Sequence, residues 1–157
     1  MTEHKDHLNR RNLCINLAGF AALAASTYPV NAASTTDTTL NHSQLFPYDK
    51  LTVHPSPSGS SRAVIEGKLA TGEFVEVHET TLQPGMMPHP PHRHTHSEFL
   101  LIREGRLEVD SDGQRGVIEP GGVVFTASGV LHGLKNIGTV PASYFVVAVG
   151  IQKTIPN

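Results

Sequence analysis

Residues 88–105 read PHPPHRHTHSEFLLIREG, and this stretch decides both the fold and the chemistry. It holds four of the chain's ten histidines, His89, His92, His94 and His96, together with Glu98. In an extended strand the side chains alternate sides with a period of two. His92, His94, His96 and Glu98 then point the same way, and a bend at Thr95 to Ser97 would help Glu98 close on the same point. Imidazole and carboxylate donors in such density suit a divalent transition metal. A solvated polar strand is the plainer alternative, but it does not account for four histidines in eight residues. A further candidate ligand, His132, lies downstream in ASGVLHGLKN.

The flanking sequence is built for strands. RAVIEGKLA and GEFVEVHETTL are short apolar runs joined at Thr71-Gly72, which predicts a hairpin. Asp112-Gly113 between RLEVDS and QRGVIE is a two-residue hairpin signal. GVVFTASGVLHGLKN and ASYFVVAVG continue the pattern, and no window from 62 to 150 carries a capped helical period. Many short strands with Gly/Pro turns predict an all-β sandwich or barrel. Leu100, Ile102, Val109, Val123, Phe125, Val130, Phe145 and Val147 are expected to pack the core or the sheets.

The remaining segments are of other kinds. Arg10-Arg11 precede the apolar run LCINLAGFAALAA and then the small residues of PVNAAS. That is the layout of an export signal over residues 1–33, similar to the twin-arginine type, with an ordinary secretory signal as the alternative. The run is too short to span a bilayer, which needs roughly 20 apolar residues. The protein is therefore expected in the periplasm or outside the cell, with no stable membrane anchor after cleavage. Residues 34–61 are rich in Ser, Thr and Pro and read as a linker or extended arm; 62–151 form the barrel and 152–157 a short tail. The single cysteine, Cys14, lies within the signal, so a cleaved chain has neither disulfides nor thiolate ligands. A formal net charge of −2 gives no electrostatic footprint for nucleic acid.

Two ordered motifs resemble those of the cupin superfamily. The first family motif reads G, five residues, HxH, three or four residues, E, six residues, G. Here Gly85 is followed by six residues, His92-Arg93-His94, three residues, Glu98, six residues and Gly105. The second reads G, five residues, P, x, G, two residues, H, three residues, N. Here Gly121 leads to Ala127 in place of Pro, then Gly129, His132 and Asn136 at family spacing. The stretch between the motifs, 106–120, matches the short microbial form.

The resemblance implies a small antiparallel double-stranded β-helix, or jelly-roll barrel. It implies His92, His94, Glu98 and His132 as ligands of one divalent ion. Mn and Fe are slightly favoured, on the argument that twin-arginine export permits loading before transport; Ni, Co, Cu and Zn suit the same donors. His96 is a rival ligand, but family spacing places it beside the ion or on the pocket wall. His89 belongs to a Pro-rich loop, either at the barrel mouth or in solvent. His78 faces inward or outward. A homodimer is implied, as is a small-molecule ligand or substrate. The function classes left open are a metalloenzyme (dioxygenase, lyase, isomerase or hydrolase), a metal-dependent binding module without turnover, and a barrel kept for structure alone. An intact donor set argues against the last. Gly105, Gly121 and Gly129 are expected to need positive φ or close backbone approach, and Asn136 to hold a turn by side-chain hydrogen bonds.

Overall fold

The computed structural model describes residues 39–151. The signal read in residues 1–33, the start of the arm and the tail lie outside the described residues. Ten strands are present: β1 (Thr39–Leu40), β2 (Val53–Ser56), β3 (Gly59–Leu69), β4 (Phe74–Leu82), β5 (Ser97–Glu104), β6 (Leu107–Ser111), β7 (Gln114–Ile118), β8 (Val123–Thr126), β9 (His132–Asn136) and β10 (Ala142–Gly150). A single 3-10 turn covers Tyr48–Lys50. The larger sheet runs β1-β3-β4-β10-β5-β8, with β2 paired to β3; the smaller runs β7-β6-β9. This is the expected all-β jelly-roll. Among the described residues no helix is long and apolar enough to cross a membrane.

Regular structure begins before Arg62. Gly59–Ser61 extend β3 and pair with Thr80–Leu82, while β2 folds back on β3. Gly59 is required there, because a Cβ would collide with the Thr81 carbonyl oxygen. Both expected hairpins form, β3–β4 and β6–β7. The second turns at Asp112 (φ 54) and Gly113 (φ 73), the paired positive-φ conformation that Asp-Gly favours. Gly105, Gly121 and Gly129 all take positive φ. At Gly105 a Cβ would also strike Ala142 Cβ at 2.4 Å.

The core lies between the sheets and draws on both: Leu82, Leu100, Ile102, Tyr144 and Val146 from one, Leu107, Val109 and Leu134 from the other. Each fully buried side chain of this size contributes roughly 1.5–3 kcal/mol by leaving water. Leu100, Ile102 and Val109 take the expected core positions. Val123 and Phe125 do not; each is 56% exposed. Their neighbours Val124 and Thr126 have the opposite parity and border the interior, so the period of two sends Val123 and Phe125 outward. Phe145 and Val147 are half-buried on the same outer face as Leu101 and Phe99, with which they pair. Asn136 is fully buried and holds three backbone groups, donating to the carbonyls of Leu82 and Val140 and accepting from the Gly138 N–H.

Strand β10 determines what the larger sheet can do. It pairs with β4 on one side and β5 on the other, so Glu76, Ala148 and Glu98 form one row and His78, Val146 and Leu100 the next. Residues distant in sequence thereby share one inner face.

Candidate metal centre

The segment carrying the histidines is not one continuous strand. His92 forms an isolated antiparallel bridge with His132, each N–H donating to the other's carbonyl at 3.0 and 3.1 Å. The chain then bends at Thr95–His96 before β5 starts at Ser97. The loop before β9 braces this bend. Gly129 N–H donates to the His94 carbonyl at 2.7 Å, the Ser128 hydroxyl donates to the Thr95 carbonyl at 2.6 Å, and Arg93 donates to the Gly129 carbonyl at 2.7 Å. Gly150, at the end of β10, leaves room for the bend: a Cβ there would sit 3.1 Å from His96 Cα. The second motif therefore both carries His132 and shapes the first.

The side chains converge. His94 Nε2 lies 3.2 Å from His132 Nε2 and 3.0 Å from Glu98 Oε1, and His132 Nε2 is 3.6 Å from Glu98 Oε2. His92, His94 and His132 offer ligand atoms within 4.8 Å of one another, as do His94, His96 and Glu98. The second group gives His96 a larger part than the motif spacing implies. Its ring stacks on His94 at 3.7 Å, and its Nε2 lies 3.1 Å from Glu98 Oε1.

The hydrogen bonds behind these rings determine which nitrogens face inward. Backbone carbonyls only accept, so His94 Nδ1–H donates to the His96 carbonyl at 2.9 Å and His132 Nδ1–H to the Val130 carbonyl at 3.0 Å. In the neutral rings both Nε2 atoms then carry bare lone pairs, aimed at each other beside a carboxylate. Such an arrangement requires a cation or a shared proton between the rings. Two ligands bonded at about 2.1 Å to one ion stand about 3.0 Å apart at right angles and about 3.4 Å apart in a tetrahedron. The observed distances bracket those separations. His92 Nδ1 is buried and has no hydrogen-bond partner, a second mark of an unmet interaction. By donor chemistry and spacing the residues fit a divalent metal.

Electrostatics agree with this. Burial pushes His92 down to about 4, reinforced by the positive fields of His89, His132 and His94. Burial also lowers His94, against the pull of Glu98. His132 is raised, chiefly by Glu98 and against its own burial. Burial would raise Glu98, but His132, His96 and His94 outweigh it and hold the carboxyl far below its ordinary range. The pocket thus keeps a carboxylate anion and at least one neutral imidazole near neutral pH.

The cluster opens into a cavity of about 150 Å³ between the sheets. His92, Glu98 and His132 border it on one side and His78, Thr80 and Tyr144 on another, with Leu100, Val109, Val124, Leu134 and Val146 as apolar wall. His78 faces inward, and its Nδ1 is held by Glu76 Oε1 at 3.1 Å. His89 is exposed yet reaches the rim, its ring 4.1 Å from His92 and its Nδ1 bonded to the Pro90 carbonyl. Tyr144 and Thr80 are absent from the sequence reading; their place on the wall follows from the β4–β10 register. Burial pushes the Tyr144 phenol upward, opposed by Thr80 and assisted by Glu98, so it is a donor and not an anion. A larger groove, about 540 Å³, crosses the outer face of the smaller sheet. Of the cluster only His132 touches it, and its charges include the Arg115–Asp110 pair at 2.9 Å, so the smaller cavity is the one the converging nitrogens serve.

Fold and site together define a class: a jelly-roll barrel whose mouth can hold a metal on imidazole and carboxylate donors. Residues 78–148 match the family model described as Cupin domain. Residues 78–148 are therefore a domain of the cupin superfamily. Among solved structures it is similar to an RmlC-like cupin from Shewanella frigidimarina, at 15% identity and TM-score 0.60, covering 71% of this chain and 95% of that one. KdgF from Halomonas sp. aligns at 15% identity and TM-score 0.58, covering 68% and 94%. A variant of oxalate decarboxylase from Bacillus subtilis aligns at 18% identity and TM-score 0.55, covering 72% of this chain and 32% of that one. At these identities the likeness is one of fold. Comparison with curated protein sequences returned no match.

Proposed function

We propose that this protein is an exported metalloenzyme acting on a compact polar small molecule, with His92, His94, Glu98 and His132 holding one divalent ion. One observation carries the reading: two bare imidazole nitrogens and a carboxylate converge beside a cavity between the sheets. A divalent ion held there supplies Lewis acidity, a template for oxygen ligands, or redox chemistry. The protein's own residues do the rest. The carbonyls of His96 and Val130 fix the His94 and His132 rings, the role outer partners take at metal sites. His96 orients the Glu98 carboxylate. The apolar wall excludes water, and the Tyr144 hydroxyl is a donor for a ligand oxygen.

The size of the cavity limits the ligand. At about 30 Å³ per water it holds the equivalent of about five waters. No Lys or Arg lines it among the described residues, so a strongly anionic ligand has only the ion and the histidines to balance it. Mn or Fe is favoured, because the donors are nitrogen and oxygen without thiolate and a twin-arginine route permits loading in the cytoplasm. The test is elemental analysis of the purified protein joined to an oxygen-uptake screen. A redox metal with oxygen consumption supports a dioxygenase; Zn or Mn without it supports lyase, isomerase or binding roles. Absence of metal at every loading defeats the proposal.

We further propose a homodimer through the outer face of the larger sheet. Phe99 and Phe125 pack with ring centroids 5.0 Å apart and planes tilted by 43°, and with Leu101 and Val123 they form a paired, uncharged patch across β5 and β8, every member at least 42% exposed. Phe125→Asp is expected to convert dimer to monomer in light scattering with little loss of metal. An unchanged mass places the interface elsewhere.

A further inference from the structure

The cavity's histidines differ in what holds their Nδ1 atoms. His94, His132 and His89 each face a backbone carbonyl; His78 alone among the described residues is held by a carboxylate, Glu76. A carboxylate only accepts here, so His78 Nδ1–H donates to Glu76 Oε1 at 3.1 Å and Nε2 is left as the acceptor. The pair rests on rigid strand. Glu76 and His78 are two residues apart on β4, on one face of the larger sheet. His78 is in register with Ala63 on β3 and Val146 on β10, so its directly paired neighbours are apolar; the charged and titratable groups that share its cavity are Glu98, His89, His92, His132 and Tyr144.

The same sheet aims the pair at the metal cluster. Glu76 and Glu98 flank Ala148 in one row, two strand spacings or about 10 Å apart. Alanine between them leaves the interior open at that level. Glu76 is held below its ordinary range, first by the His78 hydrogen bond and against burial, with His96 adding attraction. Of the other histidines that border the cavity, His92 and His132 belong to the metal cluster and His89 is exposed, while the Tyr144 phenol keeps its proton and cannot accept one.

We propose that His78, positioned by Glu76, is the proton acceptor for a hydroxylic ligand that binds in this cavity. The ligand O–H bond breaks, an N–H bond forms at His78 Nε2, and the electron pair stays on the ligand oxygen facing the His92–His132 cluster. The imidazolium is then neutralised by Glu76. A carboxylate behind an imidazole both orients the ring and stabilises the charge it acquires. This rests on the reading of the cluster as a metal site, and it narrows the ligand to one that loses a proton as it binds.

The test uses the full chain loaded with Zn and acetohydroxamate as probe, a chelator that gives up one proton when both its oxygens engage a metal. Calorimetric titration in two buffers of different ionisation enthalpy counts the protons released. The wild type is expected to release close to none near neutral pH, because His78 retains the proton. His78→Gln is expected to release close to one and to bind about tenfold more weakly, with unchanged metal content. Glu76→Gln, a milder change that keeps the His78 ring, is expected to fall between them. Equal release from wild type and His78→Gln, with metal bound in both, overturns this inference and leaves the metal site standing. Loss of metal from His78→Gln also overturns it, by placing His78 among the metal-holding residues. A wild type that binds no metal defeats both readings.

Discussion

Two faces of one sheet carry the function and the packing of this protein differently. Along β5 the inward residues are Glu98, Leu100 and Ile102, while the outward ones are Phe99, Leu101 and Arg103. Leu100 is 4% exposed and its neighbour Leu101 is 42% exposed. The inner face changes along its length, from an apolar floor at Leu82 and Ile102 to a polar mouth at Glu98 and His78. The outer face is apolar across β5 and β8 and charged near the arm. There Tyr48 lies between Arg62 and Arg103, at 4.7 and 4.5 Å from its ring, and donates to Glu79 at 3.0 Å. Composition is therefore a poor guide to burial here; parity and position along the strand decide it.

The adjacent leucines offer the sharpest break of that comparison. Leu100→Ala should cost about 2–5 kcal/mol, because it removes core contacts that the surroundings cannot refill. Leu101→Ala should change chemical-denaturation stability by less than about 1 kcal/mol in the monomer. Similar losses for both would mean that the outer face is as firmly packed as the inner.

Glu79 is the exception on the outer face, fully buried and bound to Arg62 at 2.7 Å beneath Tyr48. Glu79→Ala strands a largely buried guanidinium and should cost about 3 kcal/mol in denaturant titration. Tyr48→Phe removes one hydrogen bond and should cost about 1 kcal/mol. Metal content should survive both, since neither touches the inner face.

Gly133 tests the brace between the motifs. A Cβ there would meet Pro91 Cγ at 3.0 Å and displace the loop that bridges His92 to His132. Gly133→Ala should weaken metal binding about tenfold, the low end of effects from groups behind metal ligands, with a smaller change in stability.

Acid gives the smallest effect. His92 titrates lower in the folded chain than unfolded, so the unfolded state binds more protons between about pH 6.5 and about 4. The metal-free protein should therefore lose stability through His92 as pH falls across that window. His132 is shifted the other way, so its contribution is already complete below about pH 6.5 and is lost only as pH rises above that, outside this window. The thermal midpoint of metal-free His92→Ala should depend less steeply on pH there than that of the wild type. An identical slope would remove His92 as the cause.

Much of this was legible in the sequence. Glycines at Gly105, Gly121 and Gly129 announce positive φ, Asp112-Gly113 announces its hairpin, and the two motifs name the fold and point to His92, His94, Glu98 and His132, whose donor atoms fall in two overlapping groups that also take in His96. Alternation in β8 is equally visible, but it does not say which parity faces in; that depends on pairing with β5, twenty-odd residues away. For the same reason the sequence leaves open which way His78 faces and gives no sign of Tyr144. Their place on the cavity wall comes from β10 lying between β4 and β5, a pairing over long sequence separation that leaves no local mark. Glu79 reads as a surface residue, and only the docking of Tyr48 from the arm buries it. Motif spacing places His96 beside the ion, and the structure adds its contact, with Nε2 3.1 Å from Glu98 Oε1.

His92, His94, Glu98 and His132 are proposed to hold one ion between the sheets. Metal stoichiometry of the wild type beside His92→Ala and His132→Ala, each checked for folding, tests it most directly. One divalent ion per wild-type chain is expected, with loss of stoichiometric metal in both variants. Unchanged stoichiometry in both variants would contradict it.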